Sequence, residues 1–202
     1  IEGTLRADGS SRFDPDHRWG YFPGVNAAWR LGEEGFMKNL NLFDDLKVRA
    51  SYGEMGNQSG IGLYDYIQLI SLSSDYYPFG GGTKGQMAKS GNIVSTSRTW
   101  ETIQTTNIGL DFATLKNRLY GSFDYFWRKN SNMVGPGMEL PAILGTAVPI
   151  TNNCDLTTFG WELQLGWRDK VGQVNYGVKL NISDSQTRID RYANPTNSLS
   201  TY

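Results

Sequence analysis

Apolar and polar residues alternate at every second position in several separate runs of this chain. A period of two is the mark of β-strands that keep one face in an apolar environment. From Trp19 to Leu31 the odd positions read Trp19, Tyr21, Pro23, Val25, Ala27, Trp29 and Leu31, and the even ones Gly20, Phe22, Gly24, Asn26, Ala28 and Arg30. A second run sets Leu46, Val48, Ala50 and Tyr52 against Lys47, Arg49, Ser51 and Gly53, and a third ends with Ile108, Leu110 and Phe112 opposite Asn107, Gly109 and Asp111. After a tight turn around Leu115 to Asn117, Leu119, Gly121, Phe123, Tyr125 and Trp127 share a face against Arg118, Tyr120, Ser122, Asp124, Phe126 and Arg128. The clearest pair comes last. Trp161, Leu163, Leu165 and Trp167 alternate with Glu162, Gln164, Gly166 and Arg168, and Val174, Tyr176, Val178, Leu180 and Ile182 alternate with Asn175, Gly177, Lys179, Asn181 and Ser183. Two Trp residues about 20 Å apart along the strand, at roughly 3.3 Å per residue, bracket a Leu pair. Aromatics at both ends of an apolar row are what a strand crossing a lipid bilayer carries.

The connections between these runs alternate in length. Thr114 to Asn117 and Asp169 to Gln173 are short, Gly32 to Asp45 is intermediate, and Glu54 to Ser97 and Lys129 to Thr157 are long. In an up-and-down antiparallel sheet every second connection lies at the same end, so long loops at one rim and short turns at the other fit an outer-membrane barrel. Leu5 to Asp8 reads as the end of a further strand, and Phe36, Leu40 and Phe43 fall at near-helical spacing in the intermediate link. Pro136, Pro141 and Pro149 argue against a continuous strand from Lys129 to Thr157. The pattern predicts an all-β, antiparallel, up-and-down transmembrane β-barrel segment of about seven strands, with residues 1 to 202 forming part of one barrel domain. Phe123, Tyr125, Trp127, Trp161, Leu163, Leu165, Trp167, Val178 and Leu180 are expected to face lipid, and Asp124, Glu162, Gln164, Lys179 and Asn181 the lumen. Seven is odd and too few to close a barrel, so the chain is expected to be cut from a longer one.

Composition agrees without deciding. A net charge of −1 gives no electrostatic reason for a nucleic-acid partner. Mean hydropathy is −0.44, which argues against a helical membrane protein but not against a barrel, where only every second residue meets lipid. One His (His17) and one Cys (Cys154) supply neither a zinc ligand set nor a Ser-His or Cys-His pair. No cofactor and no metal are expected. Asp14 and Asp16 could contribute to a calcium loop, but a capped, solvated turn needs fewer ligands. Phe79 to Gly85 reads FGGGTKG, which misses the phosphate-loop order because Gly85 follows Lys84.

RADGSSRF (6 to 13), the WGYFP run beginning at Trp19, LKVRASYGEMGNQ (46 to 58), TWETIQTTNIGLDF (99 to 112) and NRLYGSFDYFWRKNS (117 to 131) occur in an order that resembles the barrel of SusC/RagA-type TonB-dependent transporters. NCDLTTFGWEL departs from the family's pattern, with Asp155 and Thr158 where Gly and Asn are expected, while Gly160 and Glu162 match. The resemblance implies a Gram-negative cell outer-membrane protein that imports oligosaccharides or peptides. It also implies a plug domain through which TonB supplies energy, a SusD-like surface lipoprotein over the mouth, and outer-membrane lipid around the wall. The aromatics of the first long loop, Tyr64, Tyr66, Tyr76, Tyr77 and Phe79, are the candidate substrate contacts, with packing among loops or against the lid as the competing role. Two other classes stay open. A soluble β-sandwich could stack sugars on exposed Tyr and Trp, and a hydrolase could use carboxylates such as Glu101 and Asp111.

Overall fold

The computed structural model describes residues 1–40, 42–78, 84–135, 137, 141, 143, 145 and 149–192. Nine strands run in chain order: β1 (Glu2–Gly9), β2 (Trp19–Trp29), β3 (Asp45–Asn57), β4 (Ile70–Pro78), β5 (Lys84–Ser90), β6 (Glu101–Thr114), β7 (Leu119–Gly135), β8 (Thr151–Val171) and β9 (Val174–Arg191). Seven of them form one antiparallel sheet in the order β1-β2-β3-β6-β7-β8-β9, and β4 and β5 pair only with each other. The large sheet is open, with β1 and β9 at its edges, and among the described residues no second sheet covers either face. A sandwich of facing apolar sheets is therefore not the arrangement.

Register decides which side chains share a face, because directly opposed residues point the same way. Leu110 pairs with Phe123, Phe123 with Leu163, and Leu163 with Ile182; one row nearer the short turns Leu165 pairs with Leu180, and in the row after that Trp167 pairs with Val178. On the other wing Trp29 pairs with Val48, and Val48 with Leu110. The separate sequence periodicities thus merge into one apolar face that runs across all seven strands. Much of it meets no protein: Val178 is 64% exposed and Leu180 50%.

The ends of β1, β3 and β7 and the starts of β2, β6 and β8 lie at one rim, and the ends of β2, β6 and β8 with the starts of β3, β7 and β9 at the other, as antiparallel order requires. The intermediate link forms a 3-10 turn at Leu31–Glu33 and a single helical turn, α1 (Gly35–Lys38), so Phe36 is helical while Leu40 and Phe43 lie beyond it. Asp14 caps a 3-10 turn at Pro15–His17, its Oδ1 accepting from the Asp16 amide at 3.2 Å, which is the capping role rather than a calcium loop.

Both long loops are shorter than the periodicity predicts. β3 continues to Asn57 and β6 starts at Glu101, so the stretch from Glu54 to Ser97 includes the end of a wall strand and the β4–β5 hairpin. β7 runs to Gly135 and β8 begins at Thr151, so both ends of Lys129 to Thr157 are strand, and the stretch is not one continuous strand, as its prolines predict. Pro136 lies outside the described residues; Pro141 and Pro149 lie between the strands, not in them. The extended strands are irregular, with register shifts between Asn130 and Met133 and between Asp155 and Leu156. At the first shift Asn132 adopts φ of 58°, and its amide donates to Asp155 Oδ1 at 2.9 Å. Arg191 closes on the other oxygen of Asp155 at 2.8 Å. The aspartate that departs from the family pattern is thus what satisfies the bulged backbone.

Candidate functional site

The face opposite the apolar one carries the polar chemistry. Arg49 of β3, Gly109 of β6 and Asp124 of β7 are in register across three adjacent strands. Glycine in the middle is what lets the outer two meet. Arg49 Nη2 reaches over β6 to Asp124 Oδ2 at 3.0 Å, and a Cβ at position 109 would stand 2.5 Å from the Asp124 carboxylate and 2.8 Å from Arg49 Nη2. Arg49 also grips Asp111 in a two-pronged contact at 2.9 and 2.8 Å, the geometry in which guanidinium and carboxylate match best. Lys47, directly opposite Asp111, adds a contact at 3.0 Å. Two cations and two anions on the half-exposed wall compensate one another.

Next to that row lies a groove of about 380 Å³ on β7, β8 and β9, whose polar lining is Ser122, Asp124, Glu162, Gln164, Asn181 and Ser183. Asp124, Glu162, Gln164 and Asn181, each expected to face the lumen, come together here on one face; Lys179 shares that face one row away, opposite Gly166. Glycines recur on this side beneath rings. Tyr120 lies over its partner Gly166, with the Arg168 guanidinium 5.3 Å from the ring centroid, and Phe126 packs over its partner Gly160.

At the rim of the longer links the only buried apolar cluster among the described residues holds the loops to the wall. Phe13, Phe22, Ile61 and Trp100 pack together, with ring centroids 5.0 Å apart for Phe13 and Trp100 and 5.8 Å for Phe22 and Trp100. Trp100 Nε1 donates to the Arg18 carbonyl at 3.2 Å, the Ser10 hydroxyl donates to Gln58 at 2.5 Å, and Arg12 donates to the Ile61 carbonyl. Arg98, buried, spans Asp65 through the carboxylate at 3.1 Å and the carbonyl at 3.3 Å. Nothing in the periodicity singles out these residues. Phe22 on the mixed face of its strand, between Gly20 and Gly24, was the one visible signal, since a ring flanked by glycines has room to lie flat.

The five aromatics expected to contact substrate are not assembled into one site. Tyr64 is exposed with φ of 59°. Tyr66 is half-buried beside Arg12, Phe13, Asp65 and Arg98 in the packed rim, so it serves the loop base. Tyr76 and Tyr77 fall on β4, their side chains outside the described residues, and Phe79 lies outside them altogether. The residues expected to face lipid do share one face: Tyr125 pairs with Trp161, Phe123 with Leu163, Leu165 with Leu180 and Trp167 with Val178, while Trp127 pairs with Phe159. Glu101 and Asp111, the carboxylates a hydrolase could use, sit ten residues apart on β6, about 33 Å at 3.3 Å per residue, too far to share a glycosidic bond. Glu101 instead accepts from Asn57 at 2.7 Å and the Val134 amide at 3.0 Å.

Comparison with known proteins follows the same lines. The family described as "TonB dependent receptor-like, beta-barrel" matches residues 1–202. TonB-dependent receptor SusC of Bacteroides thetaiotaomicron is 34% identical over 189 residues, covering 88% of this chain and 18% of that protein. TonB-dependent receptor P26 of Formosa agariphila is 29% identical over 185 residues, covering 91% of this chain and 18% of the relative. The RagAB peptide importer superposes in its closed-closed state with a TM-score of 0.78 and 24% identity, over 94% of this chain and 20% of that one, and in its open-open state with a TM-score of 0.79.

Proposed function

The chain belongs to the TonB-dependent receptor β-barrel family, related to SusC, and from that premise we propose that it is wall and loop from an outer-membrane importer of oligosaccharides or peptides. The observation that carries this reading is a single sheet with two unlike faces. One is predominantly apolar and extends over all seven strands; the other is polar, with Arg49 and Lys47 compensated by Asp111 and Asp124.

The apolar face is bordered by two aromatic rows. Trp29, Phe112, Trp167 and Tyr176 lie toward the short-turn rim, and Tyr21, Tyr52, Tyr125, Trp127, Phe159 and Trp161 toward the other. Such girdles mark the two lipid–water interfaces of a barrel, and the apolar band between them meets acyl chains. The rim with the β4–β5 hairpin is then extracellular. On the inner wall, neutral ion-pair rows and amide-rich grooves let a hydrated solute or a folded plug slide past without a deep electrostatic trap. TonB acting on a plug would supply the energy, and a SusD-like lipoprotein would close the mouth. These assignments follow the family relatives, of which the chain spans 18%.

The test uses the full-length transporter reconstituted in vesicles with a nitroxide attached at Leu165→Cys or at Gln164→Cys. Collisions with dissolved oxygen are expected to dominate at position 165, and collisions with a water-soluble nickel chelate at 164. The reverse pattern would overturn the assignment of faces. For substrate class, uptake of labelled oligosaccharides and oligopeptides that stops on adding a protonophore separates energised import from passive leakage.

A further inference from the structure

On β7, β8 and β9 the outer face changes character one row above the upper aromatics. Trp127 and Phe159 are opposed; the next row reads Lys129, Thr157 and Arg188, in register across the three strands. Neighbouring strands lie about 4.8 Å apart, so the two cationic stems leave the sheet roughly 10 Å from each other with a hydroxyl between them. Arg188 is held by one edge. Its Nε donates to Asp190 Oδ1 at 2.8 Å, and the other Asp190 oxygen accepts from the Thr157 hydroxyl. Asp190 therefore spends both oxygens orienting its neighbours, while the Arg188 side chain stays 71% exposed, its two terminal nitrogens without a described partner. Lys129 is exposed and touches no carboxylate among the described residues, acting on Asp155 and Asp190 only through space. The remaining acids nearby are Asp155, engaged by Arg191; Glu54, in the same row two strands from Lys129 and accepting from Tyr52 and Gln104; and Asp184, which lies two rows lower opposite Trp161.

Interfacial Trp and Tyr sit at the level of lipid headgroups. One row further along the strand, about 6.6 Å, places Lys129, Thr157 and Arg188 beside the headgroups themselves. A guanidinium edge and an ammonium aimed outward suit tetrahedral phosphate oxygens, while the Thr157 hydroxyl between them is committed to Asp190. We propose that Lys129 and Arg188, with Thr157 between them fixing Asp190, form a contact site on the outer wall for the phosphate-bearing headgroup of an anionic lipid in the outer leaflet. The site rests on the lipid-facing assignment of the apolar band made above. It is continuous with that band and holds its ligand through the two cationic side chains, Asp190 offsetting part of their charge.

The experiment titrates the full-length protein in uncharged detergent micelles with phosphatidylglycerol, with a galactosyl diacylglycerol that lacks phosphate, and with inorganic phosphate. Phosphatidylglycerol is expected to bind the parent roughly 30-fold more tightly than the K129Q/R188Q variant, the factor given by two basic residues at about 1 kcal/mol each. The phosphate-free lipid is expected to bind parent and variant alike, and inorganic phosphate at matched concentration to leave the lipid in place. Lys129→Arg, which keeps the charge, should retain the affinity, and heat-modifiable migration confirms that each variant is folded. Equal binding of phosphatidylglycerol by folded K129Q/R188Q, or its displacement by inorganic phosphate, would overturn the site. The nitroxide at position 165 separates the two failures: if it contacts oxygen while the variant binds normally, the headgroup site alone is wrong, and if it does not, the lipid-facing reading falls with it.

Discussion

Gly109 shows how one missing side chain organises an inner wall. Its strand mates Arg49 and Asp124 meet only because nothing stands between them. In Gly109→Ala the Arg49 to Asp124 contact is expected to be displaced, so that adding Asp124→Asn costs little more. A double-mutant cycle in urea unfolding of the reconstituted protein should give a coupling of at least about 0.5 kcal/mol, modest because the pair is partly solvated. Strict additivity would show that the contact contributes nothing. Asp155 makes the complementary case, of a residue whose departure from a family pattern is visible in the sequence while its purpose is not. Reading NCDLTTFG marks the spot, but only the fold brings the Asn132 amide and Arg191 to its carboxylate. Restoring the family residue with Asp155→Gly is expected to cost about 1.5 kcal/mol, the scale of a hydrogen bond to a charged acceptor, read as a lower unfolding midpoint. An unchanged midpoint would mean that water serves the bulge equally well.

At the scale of the strand, legibility follows from the environment of both faces. Where one face meets lipid and the other water, alternation is strict, and the runs at Trp161 to Arg168 and Val174 to Ser183 can be read directly from the chain. Above the upper aromatic row both faces are polar. Lys129, Asn130 and Ser131 on β7, and Thr157 and Thr158 on β8, carry no contrast for periodicity to detect, although the strands continue through them. The same physics accounts for the rim cluster, where Phe13, Ile61 and Trp100 come from irregular links with no period at all. Within the membrane-spanning portion the contrast makes a sharp prediction. Leu165→Arg, between Trp161 and Trp167, is expected to destabilise the protein in vesicles by about 2 to 4 kcal/mol, whereas Gln164→Arg one residue away should stay within about 0.5 kcal/mol. Equal costs at the two positions would erase the distinction between the faces.

For the molecule as a whole, the consequence of antiparallel order is a fixed sidedness. Seven strands in sequential order leave only two rims, and the hairpin of β4 and β5 stands on the one opposite the Gly172 turn. An isolated two-stranded hairpin is marginal in water by itself, so the clamp at its base, Arg98 on Asp65 and Trp100 against Phe13, is what holds its stem to the wall. Backbone groups along β1 and β9 need strand partners in a hydrocarbon setting, since none are supplied by lipid. Given those constraints, a membrane-impermeant maleimide applied to intact cells expressing the full-length protein should modify Lys89→Cys on the hairpin. It should reach Gln173→Cys in the short turn only after the outer membrane is permeabilised; Cys154 is buried and adds little background. The two sites lie on opposite rims, so a wall that spans the membrane cannot expose both to one side. Labelling of both without permeabilisation would mean that the sheet does not cross the bilayer. Labelling of Gln173→Cys alone would keep the span and invert it, placing the hairpin in the periplasm and the short turns outside.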